Sequence, residues 1–260
     1  MPYTISHTAA VLPFSRWLAP RRLLSAAVIG AMIPDLGYLL PWHLPRALTH
    51  TAVALLTFCL PSGLACYWIF QLLIKRAVIE ALPDGAYWRA RPYLAAARLG
   101  RPGHWLRASL GILIGALSHV SWDAFTHEGA RGVRMFPALN DDLGNVGGHH
   151  LLIYKLLQQG SSILGLTIVF WVVWRALRSP APSPRPDRTL GTTEREAWFI
   201  AYPATAALAT LVALAVAHLK GGEGSMQILY VVAIAVLRAL AFSAIAVSAA
   251  LRLRLRTARR

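Results

Sequence analysis

RASLGILIGALSHVSWDAFT, running from Arg107 to Thr126, is the stretch whose reading decides the fold. It is apolar over the roughly 20 residues that a helix needs to cross a bilayer core. Yet it carries His119 and Asp123 four residues apart, on one helical face. A charge at that depth costs about 3 kcal/mol on insertion scales, so ionisable residues there are functional candidates by default. A His/Asp pair one turn apart can hold a metal ion. A hydrogen-bonded pair that glues helices has the same spacing, but a neutral Asn or Ser would serve that purpose with less desolvation.

The rest of the chain agrees with a membrane reading. Of 260 residues, 56% are hydrophobic and 14% charged, and mean hydropathy is +0.50; soluble domains carry about 25% charged residues. The formal net charge of +15 would suit a nucleic-acid binder, but so many long apolar runs exclude a soluble one. Apolar runs at about 23–42, 51–74, 107–126, 150–177, 197–218 and 226–251 predict six long spans. A shorter segment, about 8–19, contains Pro13 and reads as a half-spanning or tightly packed helix. The expected fold is therefore all-α, a polytopic transmembrane helical bundle. The first apolar stretch is short, carries His7 and precedes Arg16, Arg21 and Arg22, which is the wrong order for a cleavable signal peptide. Cys59 and Cys66, seven apart in one apolar run, read as small buried residues.

Charge sets the expected orientation. Segments 75–107 and 175–196 and the tail 252–260 are rich in Arg and Lys. The alternating stretches 43–49, 127–149 and 219–224 are poor in them and contain Glu128, Asp141 and Asp142. The basic loops and C-terminus should be cytoplasmic, in a multi-pass inner-membrane protein. Segment 178–196, with Pro and Arg in its middle, reads as a cytoplasmic linker. It separates a membrane-embedded region, 1–177, carrying nearly all unusual polar residues, from a bland two-helix region, 197–260. His218 and Glu223 at the outer ends of that region have no obvious partner.

On this topology His7, Asp35, His50, His119 and Asp123 come from four helices and reach similar depth near the external leaflet. Imidazole and carboxylate suit a divalent ion such as zinc when thiolates are absent. Asp35 and Asp123 are also catalytic candidates, and Glu128 is a weaker candidate for general base. Taken singly, His7, Asp35, His50 and His127 each fit a bland role at a helix end or interface. Gly147-Gly148-His149-His150 can be a rim, further ligands or a solvated loop. Tyr154, Gln158 and Ser161 or Ser162 recur at helical spacing and can line a pocket.

The opening Met1 to Ala10, the stretch Gly30 to Asp35, Thr49-His50-Thr51, and Ser118-His119 through Asp123 resemble the bacterial membrane family called domain of unknown function 4184. The order of N-terminal His, Pro34-Asp35, His50-Thr51 and Ser118-His119…Asp123…Thr126 is also similar to the inner-membrane metal-dependent hydrolases. That second likeness implies phosphoester hydrolysis. Gly37 stands where those hydrolases often carry a second Asp, which weakens transfer of a catalytic metal site, above all of a second ion.

The expected function is a metal-dependent hydrolase of an ester or phosphoester, with a lipid or lipid-linked substrate reaching the site laterally. A non-enzymatic scaffold or partner-binding protein, whose His/Asp cluster locks helices, is the alternative. A transporter using Asp35 and Asp123 as proton relays is disfavoured, since no repeat pair or broken-helix symmetry is visible.

Overall fold

Inside hydrocarbon a chain must satisfy its own backbone, and helices do so within one segment. The computed structural model is accordingly helical almost throughout. It describes residues 4–19, 23–40, 44–94, 101–146, 149–180, 190–219 and 225–257. The Arg21-Arg22 turn, Gly147-Gly148, most of the Pro-rich linker and Glu223 lie outside the described residues. So do the side chains of His149 and His218.

The helices are α1 (Leu24–Gly30), α2 (Ala52–Ala81), α3 (Asp84–Ala90), α4 (Pro102–Thr126), α5 (Arg131–Met135), α6 (Ile153–Arg178), α7 (Thr192–Leu219) and α8 (Ser225–Thr257). Among the described residues α2, α4, α6, α7 and α8 contain stretches long and apolar enough to cross a membrane. In α2, Pro61 has no N–H for the carbonyl four residues back, and a π-turn, Leu55–Cys59, absorbs the mismatch.

The structure has five such helices where the sequence predicts six spans. The run 23–42 is not one continuous helix. Pro34 cannot donate to the carbonyl of Gly30, so α1 ends there and a 3₁₀ helix, Ile33–Leu39, carries the chain on. The segment 8–19 is likewise broken, into 3₁₀ helices Thr4–Ala10 and Leu12–Phe14 and one α-turn, Ser15–Leu18. The loop after α4 is also more ordered than its composition predicts. It holds α5 and an antiparallel hairpin, β1 (Asp142–Val146) with β2 (His149–Leu152), in which Asp142 opposes Leu152 and Asn145 opposes His150.

The core that positions the site lies between α1 and α4. Ala26, Ala27 and Ala31 face Ala108, Ile112 and Ala116, all nearly inaccessible. Small residues let membrane helices approach until dispersion and backbone contacts hold them. At Gly115 the approach is so close that any Cβ would collide with the carbonyl of Ala27. On the other flank, a Cβ on Gly165 of α6 would lie 2.7 Å from the Ser6 carbonyl. The N-terminal 3₁₀ helix therefore rests directly on α6. Helices α7 and α8 form a hairpin, tied by Tyr202 Oη to Ser248 Oγ at 3.0 Å. It docks through Arg238 of α8, which donates to the carbonyls of Tyr38 (2.8 Å) and Leu40 (2.5 Å).

Candidate metal centre

Four separate segments bring their polar groups to one end of α4. The N-terminal 3₁₀ helix brings His7, and Ile33–Leu39 brings Asp35 at its first turn. The turn before α2 brings His50, and α4 itself brings His119 and Asp123. His119, Asp123 and Asp35 are 1%, 3% and 4% exposed. All five sequence candidates for metal ligation meet here.

The distances are specific. His119 Nε2 lies 3.4 Å from Asp123 Oδ2 and 3.7 Å from Asp35 Oδ1. His50 Nε2 lies 3.4 Å from the same two oxygens. His7 Nε2 is 3.6 Å from Asp123 Oδ1, and its ring stacks on that of His119 with centroids 3.7 Å apart. None of these N···O pairs is a hydrogen bond. Among the described residues, Asp35 Oδ1, His50 Nε2, His119 Nε2 and Asp123 Oδ1 are buried without a hydrogen-bond partner, as is His127 Nε2. Buried polar atoms left in that state cost about 1–3 kcal/mol each, so their concentration in one place asks for an occupant.

A cation meets that need on geometric grounds. Three atoms about 3.5 Å apart are each about 2.0 Å from their common centre, the length of a zinc bond to nitrogen or oxygen. Two three-residue groups place one ligand atom per residue within 4.8 Å of one another: His7, His119 and Asp123, and Asp35, His50 and His119. His119 belongs to both. Its Nδ1–H must donate to the Ala31 carbonyl, 2.7 Å away, leaving one lone pair on Nε2. The two groups therefore share one ligand atom, and one ion at a time can use it. A Cβ at Gly37 would have Leu44 as its nearest neighbour, 3.2 Å away.

Further partners orient the donors, as outer-shell groups do in metal sites. Thr4 Oγ1 donates to Asp35 Oδ2 at 2.8 Å, which leaves Oδ1 for the cluster. Thr49 Oγ1 is 2.6 Å from His50 Nδ1. Arg46, whose side chain is 40% exposed, donates to Asp123 Oδ2 at 2.9 Å. Among the described residues, two carboxylates and one guanidinium leave one negative charge to be balanced. Just past α4, burial pushes the His127 imidazole down from 6.5 to about 4, against the pull of Asp123. Its Nδ1 lies 3.5 Å from Asp123 Oδ2.

A cleft of about 250 Å³ reaches this cluster between the N-terminal segment, α4 and α6. His7, Asp123 and His127 lie at its polar end, and Leu164 and Ile168 supply apolar wall. Gln158, Ser161 and Ser162 line it, as their helical spacing predicts; Tyr154 is buried and does not. Glu128 is exposed and lines no part of the cleft. His150 is exposed on the hairpin and pairs with Asp142 at 2.5 Å, away from the cluster. Arg46, Thr4 and the Ala31 carbonyl were not legible as site groups. Arg46 had one signal, a lone cation four residues before His50 in a stretch otherwise poor in charge.

A family model described as Domain of unknown function (DUF4184) matches residues 1–250, and the chain belongs to that family. No curated protein and no solved structure matches it.

Proposed function

We propose that this DUF4184 member is a bacterial inner-membrane hydrolase that holds one divalent cation, zinc by the nature of its donors, and cleaves an ester or phosphoester of a lipid. The observation that carries this reading is the set of unpartnered buried atoms among the described residues: His50 Nε2, His119 Nε2 and Asp35 Oδ1, all within 4.8 Å of one another. The basic loops would face the cytoplasm and the cluster the external leaflet.

A bound divalent ion supplies Lewis acidity and a nucleophile available near neutral pH. The protein's own groups do the remaining work. His50, His119 and Asp35 hold the ion, with His7 and Asp123 as the competing set. Asp123 Oδ1, unpartnered at the polar end of the cleft, is placed to take a proton from water. Gln158, Ser161 and His127 orient a headgroup, while Leu164 and Ile168 admit a chain from the bilayer. With the ion in place, two carboxylates, one guanidinium and a dication sum to about +1. That charge favours an anionic phosphoester over a neutral ester.

Metal analysis of the purified protein tests the reading. About one divalent ion per chain is expected, lost in His119→Ala and in Asp35→Ala. Stoichiometry near zero in protein purified without chelator would sink it. The ion pair between Arg46 and Asp123 favours a second reading, in which one imidazolium balances the remaining carboxylate and the cluster only locks helices. That reading expects His119→Ala to lower thermal stability in detergent with no metal at any stage.

A further inference from the structure

A second cavity, of about 600 Å³, lies at the opposite end of the bundle between α1, α2 and the start of α4. Its volume is in the range of sites that enclose small ligands. Leu24, Val28, Phe70 and Ile79 give it apolar walls, and Lys75 places a cation within it.

The cation is held inward. Lys75 Nζ donates to Gln71 Oε1 at 3.2 Å, one turn deeper along α2, and Gln71 Nε2 donates to Ser25 Oγ of α1 at 3.4 Å. A lysine that merely snorkels extends towards water; this one turns back to Gln71 on its own helix, and Gln71 makes the link to α1. Other cations of the bundle are satisfied by carboxylates, as Arg76 is by Glu80 and Arg195 by Asp84, or lie over aromatic rings, as Arg91 does over Trp88. Among the described residues, neither Asp nor Glu lines this cavity. Tyr67 Oη and His104 Nε2, 3.3 Å apart, add polar groups to its wall.

We propose that this cavity binds an anionic phospholipid, with the phosphate on Lys75 and one acyl chain along Leu24, Val28 and Phe70. A cation without a carboxylate beside an apolar slot is complementary to an amphiphile of opposite charge, and basic pockets between membrane helices take such headgroups. The site is separate from the His/Asp cluster and does not depend on a metal ion there.

Thermal unfolding of the full chain in a neutral detergent, titrated with phosphatidylglycerol, tests it. Matched phosphatidylcholine and inorganic phosphate serve as the other probes. Phosphatidylglycerol is expected to raise Tm by about 5 °C at saturation, with no shift from the other two. Lys75→Gln and Val28→Trp should each abolish the rise, while Arg76→Gln should keep it. An equal shift from phosphatidylcholine, or a full shift in Lys75→Gln, overturns the proposal. A full shift from inorganic phosphate alone overturns the lipid assignment.

Discussion

His119 Nδ1–H donates to the carbonyl of Ala31 across the α1/α4 contact, at 2.7 Å. That one bond selects the tautomer, turns Nε2 towards Asp35 and Asp123, and makes the cluster depend on how closely two helices pack. Ala31 is the residue after α1 ends, where the Asp35 N–H that an α-helix would aim at its carbonyl goes to Met32 instead and Gly115 lets α4 come near. The imidazole is thus oriented by backbone that is free because a helix stops.

Gly115→Ala tests that dependence. The new methyl would strike the Ala27 carbonyl, so α1 must retreat from α4. A loss of about 1–3 kcal/mol is expected from such overpacking, read as a lower Tm in detergent. Metal content should fall in parallel. A variant that keeps both would show that the contact yields more easily than its geometry indicates.

Thr4→Val removes the donor to Asp35 Oδ2 at nearly constant volume. Outer-shell changes of this kind weaken metal affinity about 10–100-fold, and titration with zinc should read that range here. Stability should also fall by about 1–3 kcal/mol, because a buried carboxylate oxygen loses its donor.

Arg46→Gln separates two functions of one contact. The guanidinium is 2.9 Å from Asp123 Oδ2, where it competes with any cation for that oxygen. Zinc affinity is expected to rise about tenfold, through relief of charge repulsion. Turnover of an anionic phosphoester should fall, because the substrate loses its attracting charge. Both quantities falling together would place Arg46 in support of the metal-binding geometry.

Ala10→Trp fills the cleft from its exposed rim without touching the ligands. Hydrolysis of a long-chain lipid ester should drop at least about tenfold, as expected where access to a near-attack geometry is blocked. Metal stoichiometry should stay unchanged. A small water-soluble phosphoester should be far less affected than the lipid.

Much of the helical plan was legible. The runs 107–126 and 51–74 fall within α4 and α2, and Gln158, Ser161 and Ser162 do line a pocket at their helical spacing. The break within the run 23–42 was not legible because hydropathy averages over Gly30, Pro34 and Gly37, whereas one missing N–H ends a helix. The hairpin at 142–152 was missed because its short strands, Asp-Leu-Gly-Asn-Val and His-His-Leu-Leu, lack the regular alternation that marks a half-buried sheet. Arg46 and Thr4 were missed because their partners are 77 and 31 residues away, a separation no local pattern encodes.

By itself the sequence determined an apolar helical chain with too few charges for a soluble core, and it singled out the histidines and aspartates whose burial needs a reason. Local rules suffice for that, since hydropathy and helical period act within some twenty residues. Only the tertiary structure decided that these groups face one another with lone pairs unsatisfied, that His119 serves both possible ligand sets, and that Arg46 competes for Asp123. Those facts follow from how closely α1, α4 and the broken N-terminal segments pack, and close approach is a property of paired surfaces that no single segment carries.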